Sequence, residues 1–394
     1  MMPKRSWMLT LLAGLLVAAC GGSDPYVPGS VGPAGAPTTK GSFTAVVSFG
    51  DSLSDVGAYA PATSLTGNGA APYFGGRFTT NAANATVWVE NVAASLGLLV
   101  TPHEVGFAGQ SLKCPAATLN AALAGTCTGY GQGGARVTDA NGIGKSGGAL
   151  TVPVKTQIAN HLARFGGFKA SDLVLVLAGD NDVFVQLATF GAAAQQIQAD
   201  AVAGKLTPAQ ANLALFQAQN EAQGEMKKAA LELAGYIRDD ILAKGARYVA
   251  VLEALDPLHT PSTAALPASL VPVQTTLVET FNLWLREGLA GAAVQFVDPN
   301  VLVRDAVANP SRFGLTNVSA AACDPAKIQL ITRGLISDGS SLFCNATPGV
   351  PYNGLRDGAS ADTWMFADGV HPSTGGHRIL AEYVLGQLRA FGWI

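Results

Sequence analysis

Two segments near opposite ends of the chain carry side chains that together could perform nucleophilic catalysis. Ser52 follows Gly50 and the largely apolar run 45–49, so its hydroxyl is expected in a turn at the end of a buried strand. Asp368 and His371 are three residues apart and can hydrogen-bond to each other. A nucleophilic serine needs a base to take its proton, and the base needs a partner that fixes its tautomer. These residue types therefore predict a Ser-His-Asp arrangement if the fold joins the two segments.

Each segment also has an ordinary structural interpretation. Ser52 could simply cap the helix that follows the turn, because a serine oxygen accepts the free N–H groups of a helix start. Asp368 and His371 could form a surface turn before a helix capped by Ser373. Neither segment alone decides between structure and catalysis.

Other candidate side chains are expected to be structural. Asp55 is expected to hydrogen-bond the backbone at the first helix, and Asp51 is expected to be a buried brace for the turn at Ser52. His377 lies in the last predicted helix, which carries it away from His371 and the strand ends. The apolar residues 364–366 could line an apolar acyl pocket or belong to the core, and the sequence leaves both open.

The elements that must position these residues alternate between strands and helices. Such alternation predicts an α/β fold, a three-layer α/β/α sandwich with a central parallel sheet. Functional groups collect at the carboxyl ends of parallel strands, which adds Gly179-Asp180-Asn181-Asp182 after the second buried strand as a third candidate segment. Strands are predicted over 45–49, 98–105, 172–178, 247–252 and 292–297, and helices over 84–98, 150–165, 183–243, 277–289 and 373–391.

Four motifs carry a resemblance to a known family. FGDSLSDVG, YGQGGARV, LAGDNDVF and DGVHPSTGGH occur in the order seen in the GDSL, or SGNH, family of serine hydrolases. The chain resembles that family from Ala45 to Phe391. Each motif is weakly specific alone, whereas four in order are strongly specific. The resemblance implies a flavodoxin-like sandwich and an esterase or lipase that needs no metal or cofactor.

The resemblance also implies roles for single residues. Ser52 would be the nucleophile, and Asp368 with His371 would complete the triad. The oxyanion hole would consist of the N–H groups of Ser52 and Gly134 and the side-chain amide of Asn181.

Two positions depart from the family pattern. The third motif usually has a small residue where this chain has Asp180, whose charge near an oxyanion would be unfavourable unless it points away. The second motif usually opens Asn-Tyr-Ala, whereas this chain has Gly129-Tyr130-Gly131. The choice of Gly134 over Gly133 therefore stays open.

The composition of the first 41 residues predicts a targeting segment followed by a tether. Residues 1–19 carry Lys4 and Arg5 ahead of an apolar run and predict a signal peptide. The ending Leu-Val-Ala-Ala-Cys resembles the bacterial lipobox, which implies a lipidated Cys20; a non-lipidated signal peptide is the alternative. Residues 21–41 are rich in Gly, Pro and Ser and predict a flexible tether ahead of a domain over 42–394. Gly21 after the cysteine favours the outer membrane, by the same resemblance.

The four remaining cysteines are interpreted as disulfides, because an exported protein meets an oxidising environment. Sequence permits three pairings, and we choose Cys114–Cys127 and Cys323–Cys344, which close the short loops. No CxxC spacing favours zinc.

The composition excludes several classes of protein. Hydrophobic residues make up 48% and charged residues 13%, which is too apolar for disorder. Removing residues 1–19 takes away two positive charges, so the formal net charge changes from −3 to −5. Mild acidity does not favour nucleic-acid binding.

The sequence thus predicts an exported, membrane-anchored serine hydrolase that cleaves carboxylic esters through an acyl-enzyme. A phospholipase or lipid acyltransferase is the alternative within the family, and a non-catalytic surface lipoprotein that binds carbohydrate or a protein partner is the alternative outside it. The helical insertion 183–243 begins beside the candidate site and is a possible lid.

Overall fold

A computed structural model describes residues 43–63, 76–83, 85–337, 339–347 and 353–394 of the chain. The predicted signal peptide 1–19, Cys20 and the tether 21–41 lie outside the described residues. The strands are β1 (Ala45–Gly50), β2 (Glu104–Phe107), β3 (Gln110–Lys113), β4 (Asp172–Leu177), β5 (Tyr248–Leu252), β6 (Gln295–Val297), β7 (Asn317–Ala321) and β8 (Trp364–Phe366). The α-helices are α1 (Ala60–Thr63), α2 (Trp88–Ser95), α3 (Pro115–Leu119), α4 (Val154–Phe165), α5 (Asp180–Val202), α6 (Pro208–Tyr236), α7 (Pro261–Ala264), α8 (Val271–Gly288), α9 (Pro299–Ala308), α10 (Pro325–Ile331) and α11 (Thr374–Ala390).

The centre of the fold is a parallel sheet of four strands in the order β1-β4-β5-β6. Its strands are short and buried on both faces, as their β-branched and aliphatic residues require. Helices cover both faces, so the predicted three-layer α/β/α sandwich is confirmed. A parallel pair β7-β8 and an antiparallel pair β2-β3 lie outside this sheet.

Alternating strand residues build two hydrophobic cores. Successive side chains of a strand point to opposite faces. In β4, Val174 and Val176 therefore pack against α4, α5, α6 and α8, whereas Leu173, Leu175 and Leu177 pack against α2, α9 and α11. The carboxyl ends of the same strands meet at one edge of the sheet, where the candidate site lies.

The predicted elements differ from the structure mainly at their ends. The helix predicted over 84–98 is shorter, because its first regular turn begins at Trp88. The strand predicted over 98–105 is wrong; the strand begins only at Glu104, where it pairs with β3 in a region predicted to be loop. The elements α9, α10, β7 and β8 were not predicted, since short segments give weak periodicity.

The insertion 183–243 forms most of a pair of helices, α5 and α6, joined by a short turn around Gly204. Thr207 caps α6, with Pro208 at its first position and Gln210 completing a capping box. Met226 and Leu233 of α6 belong to the core. Only the start of α5 borders the candidate site, through Phe184 and Leu187. A lid function stays a prediction.

Two disulfides join the cysteines as chosen from the sequence, Cys114 to Cys127 and Cys323 to Cys344. None of the helices in the described part of the chain is both long and apolar enough to cross a membrane.

His377 links two helices of one outer layer, and we expect it to make the protein sensitive to acid. Its Nδ1 accepts the N–H of Trp88 at 3.3 Å, and its Nε2 lies 3.2 Å from the Phe78 carbonyl, to which it donates. Burial lowers the pKa of His377 to about 3. Between pH 6.5 and 3 only the unfolded state takes up this proton, so the free energy of unfolding falls by roughly 1.4 kcal/mol per pH unit of acidification.

We predict that His377→Gln is less stable than the wild type at pH 7 by about 1 to 3 kcal/mol, because a hydrogen-bonded buried ring is lost. The difference in unfolding free energy between the two proteins should shrink as the pH falls toward 4. Urea unfolding at a series of pH values measures it, with His259→Gln as the matched histidine control outside the core. A difference that stays constant with pH would contradict the assignment.

Candidate active site

Ser52 lies in a turn that is fixed from two sides. It begins the 3₁₀ turn Ser52–Ser54 directly after β1, and Asp51 caps this turn by accepting the N–H of Leu53 at 3.1 Å. Gln157 of α4 holds both backbone groups of Gly50: Oε1 accepts its N–H at 2.9 Å, and Nε2 donates to its carbonyl at 2.7 Å. The position of the Ser52 hydroxyl is therefore set by the sheet and by α4.

The fold brings Ser52, His371 and Asp368 together across 319 residues of sequence. The Ser52 Oγ lies 2.8 Å from the His371 Nε2, and the Asp368 Oδ1 and Oδ2 lie 2.9 and 2.8 Å from the His371 Nδ1. A carboxylate accepts only, so Nδ1 carries the proton and Nε2 is free to accept from the serine hydroxyl. This geometry suits proton transfer from Ser52 to His371.

The Asp368 carboxylate is buried and surrounded by donors. Its Oδ1 accepts the N–H groups of Val370 and His371 at 3.0 and 2.8 Å. Its Oδ2 accepts the N–H of Ser341 at 2.7 Å. Burial alone would raise the pKa of Asp368, but the charge of His371 and these hydrogen bonds outweigh it and hold the pKa well below its ordinary value. Asp368 therefore stays ionised and orients the imidazole.

Ser341 is held in place by the second disulfide. It begins the 3₁₀ turn Ser341–Phe343, which ends at Cys344, and Cys344 is bonded to Cys323. The side-chain amide of Asn81 also donates to the Ser341 carbonyl at 3.0 Å. The loop that supplies a hydrogen bond to Asp368 is thus cross-linked to the rest of the fold.

The N–H groups of the two adjacent glycines in the second motif have different surroundings. The N–H of Gly133 donates to the buried carboxylate of Asp55 at 2.9 Å. The N–H of Gly134 has no acceptor among the residues that the structure describes, and Gly134 borders the same cavity as Ser52. A Cβ at Gly134 would lie 1.9 Å from the Ile143 carbonyl, so this tight turn requires glycine. The geometry favours Gly134 over Gly133 as a donor to a bound oxyanion.

Asn181 completes the group of donors around Ser52. It is the second residue of α5, directly after β4 and Gly179. Its Nδ2 donates one proton to the Ala135 carbonyl at 3.0 Å, which leaves the second proton of the amide for a ligand. The structure therefore places Asn181 and Gly134 on the same cavity as Ser52.

The two aspartates beside Asn181 have different environments. Asp182 accepts the Nε of Arg136 and the N–H of Val137, each at 2.9 Å, and so holds the second motif against α5. The Asp180 Oδ1 accepts the N–H of Leu255 at 3.0 Å. Burial and the neighbouring Asp51 raise the pKa of Asp180 well above its ordinary value. This shift favours the uncharged form of Asp180 and so limits the charge that it adds to the site.

The remaining candidates have structural surroundings. The Asp55 Oδ1 accepts the N–H groups of Gly57 and Ala58 at 2.9 and 2.6 Å, which agrees with its expected backbone role. Burial raises the pKa of Asp55 to about 6. His377 is fully buried, as already described. Met365 and Phe366, but not Trp364, border a cavity at Ser52.

Three residues that position the site were not found from the sequence. Gln157, Asp182 and Ser341 act on the nucleophile turn, the second motif and the carboxylate, respectively. Asp182 lies within the third motif, so its position in the sequence gave some indication that its carboxylate belongs to the site. Gln157 and Ser341 act through tertiary contacts that leave no local pattern.

Comparison with known proteins places this geometry in context. A family model described as GDSL-like Lipase/Acylhydrolase matches residues 46–384. Esterase EstA of Pseudomonas aeruginosa and Esterase EstA of Pseudomonas putida are each 33% identical to the chain over 147 residues. The aligned segment makes up 37% of this chain and 20% of each relative.

We predict that the Ser341 N–H supports the reactivity of Ser52. Ser341→Pro removes this donor, and because the proline ring replaces the amide hydrogen that points at the Asp368 Oδ2 2.7 Å away, it also displaces the carboxylate. Losing a hydrogen bond to a charged group costs about 1.5 to 3 kcal/mol, which is roughly a tenfold to hundredfold slower reaction.

The rate of covalent labelling of Ser52 by a fluorophosphonate probe measures this effect. Ser341→Ala keeps the N–H and should label at nearly the wild-type rate. Equal rates for Ser341→Pro and Ser341→Ala would show that the N–H of Ser341 does not matter to Ser52.

Proposed function

The chain belongs to the family of GDSL-like lipases and acylhydrolases, and on this premise we propose that it hydrolyses carboxylic esters through an acyl-enzyme intermediate on Ser52. One observation carries the proposal: the Ser52 Oγ and the His371 Nε2 lie 2.8 Å apart beside unused hydrogen-bond donors. The esterase names of the two partial relatives support the same reaction class.

In the first half-reaction Ser52 attacks the ester carbonyl carbon while His371 takes the hydroxyl proton. The imidazolium that forms is stabilised by Asp368, whose carboxylate lies 2.8 Å from its Nδ1. Collapse of the tetrahedral intermediate breaks the bond to the alcohol oxygen, and His371 returns the proton to that oxygen. The products of this step are the free alcohol and an acyl ester of Ser52.

In the second half-reaction water attacks the acyl carbonyl while His371 takes a proton from it. The bond between the acyl carbon and the Ser52 oxygen then breaks, His371 returns the proton to Ser52, and the carboxylic acid is released. The negative charge on the carbonyl oxygen develops twice and needs donors that are already oriented. We assign this role to the N–H groups of Ser52 and Gly134 and to the side-chain amide of Asn181. The Gly134 N–H supports the assignment, because it borders the cavity at Ser52 and donates to no acceptor among the residues that the structure describes.

Ser52→Ala should abolish both fluorophosphonate labelling and hydrolysis of p-nitrophenyl butanoate, because it removes the hydroxyl that lies 2.8 Å from the His371 Nε2. The matched control is Ser54→Ala in the same 3₁₀ turn, whose buried Oγ has no hydrogen-bond partner in the described part of the chain. Gel fluorescence and release of p-nitrophenol give the two readouts. The proposed role of Ser52 as nucleophile would be refuted if wild type and Ser52→Ala were labelled to the same extent, or if neither protein were labelled.

We also propose that the protein is exported and anchored in the outer membrane through a lipid on Cys20, facing the periplasm or the cell surface. The lipobox-like ending of the predicted signal peptide supports this location. Two disulfides in the folded domain support an oxidising compartment.

Cys20→Ser should shift the protein from the membrane fraction to the soluble exported fraction, because the lipid attachment sulfur is lost. Cell fractionation with metabolic labelling by radioactive palmitate measures the change, and wild type alone should carry label. Cys323→Ser, which removes a sulfur inside the folded domain, controls for general effects of losing a cysteine. Identical fractionation of wild type and Cys20→Ser would contradict the anchor.

A further inference from the structure

Two cavities of different shape meet at the candidate nucleophile. One has a volume of about 480 Å³ and opens past Gly134 and Leu342, and the other has about 80 Å³ and is more enclosed. The residues that border both are Ser52, Asn181, Phe184, Val370 and His371. An ester whose carbonyl carbon lies at Ser52 could therefore extend one of its two halves into the open cavity and the other half into the narrow cavity.

The narrow cavity has an apolar wall. We call it the acyl slot and define it by Leu302, Val303, Ala306, Met365, Phe366 and Leu380, which come from α9, β8 and α11. Ala306 is 1% exposed and Leu380 is 4% exposed, so these two wall residues are closed to solvent. The polar residues Asp51, Asp180, Asp256 and Thr260 also border this cavity. Burial raises the pKa of Asp51 to about 7 and that of Asp180 well above its ordinary value, so these two carboxyls carry less charge than exposed aspartates do.

We propose that the acyl slot binds an unbranched acyl chain of the ester, and that Ala306 limits the length of this chain. The inference rests on the proposed ester hydrolysis and adds the substrate class to it. The apolar wall of the slot gains free energy from each methylene that it takes out of water, whereas a polar group against this wall would lose its hydrogen bonds to water. A straight alkyl chain benefits from the first effect and avoids the second.

The order of the reaction assigns the slot to the acyl group and the open cavity to the alcohol. The alcohol must leave and water must enter before the acyl-enzyme can break down, and an open cavity permits both. The acyl group stays bonded to Ser52 throughout, so an enclosed slot does not obstruct it. Gly134, the proposed oxyanion donor, borders only the open cavity, which directs the carbonyl oxygen away from the slot.

Ala306 is a suitable residue for testing the slot, because it is small, buried and part of the slot wall. It is buried on the face of α9 that lines the slot, together with Leu302 one turn earlier. A leucine at position 306 would occupy space that a chain needs. Ala308 lies on the same helix but is exposed, so Ala308→Leu makes the same substitution without filling the slot.

The experiment compares wild type, Ala306→Leu, Ala308→Leu and Leu302→Ala on two substrate series. The first varies the acyl group in p-nitrophenyl acetate, butanoate, hexanoate, octanoate and decanoate. The second keeps the acetyl group and varies the alcohol from methyl to hexyl acetate, followed by titration of the released acid. Fluorophosphonate labelling and thermal unfolding confirm that each variant is folded.

For Ala306→Leu we expect near wild-type kcat/KM on the acetate and a loss on longer acyl chains of about fourfold for each methylene that no longer fits. Leu302→Ala should move the optimum to longer chains, and Ala308→Leu should match wild type. The alcohol series should not change in any variant.

Two results would overturn the acyl assignment. In the first, neither Ala306→Leu nor Leu302→Ala changes the dependence of kcat/KM on acyl length. In the second, these variants change the dependence of kcat/KM on the length of the alcohol instead. A wild type that is labelled at no serine and hydrolyses neither series would refute the proposed function itself, so the two failures are distinguishable.

Discussion

The candidate site depends on keeping one charged carboxylate, that of Asp368, ionised inside the protein. An isolated buried charge is costly and normally takes up a proton. Here the backbone N–H groups of Val370, His371 and Ser341 donate to its two oxygens, and the His371 ring provides the remaining partner. The same hydrogen bonds that keep Asp368 ionised fix the tautomer of His371. The Ser52 hydroxyl then faces the only ring nitrogen that can accept its proton.

Buried carboxylates also organise the loops around the nucleophile. Asp51 caps the turn at Ser52, Asp55 accepts three N–H groups that include that of Gly133, and Asp182 joins the second motif to α5. Each carboxylate satisfies backbone donors that the irregular loops would otherwise leave unpaired. By engaging Gly133, Asp55 leaves the neighbouring Gly134 N–H as the available donor. These acidic residues thus hold the loops around Ser52 in place.

The two cavities beside Ser52 differ in volume and in exposure to solvent. Ser52, the proposed nucleophile, borders both an open cavity and a narrow apolar one, so the two halves of a bound ester would meet different surroundings. The wall of the narrow cavity is part of the hydrophobic core under α9 and α11. Under the proposal, core packing would also set the length of acyl chain that the site accepts, because Leu302 and Ala306 both belong to the core and line the slot.

The sequence by itself determined the central sheet and the local motifs. The buried strands β1, β4 and β5 were recognisable because continuous apolar runs are rare outside such sheets, and Ser52, Asn181 and the Asp368-His371 pair follow from motifs with short-range meaning. Only the tertiary structure decided what depends on contacts between distant segments: the 2.8 Å approach of Ser52 to His371, the support of Gly50 by Gln157, and the Ser341 N–H on Asp368. It also showed which acceptor the Gly133 N–H contacts, which favours Gly134 as the proposed donor; the sequence does not distinguish these adjacent glycines. The helix α9 and the slot beside it could not be read from the chain, because a cavity is defined by the space between elements, and no residue pattern encodes that space.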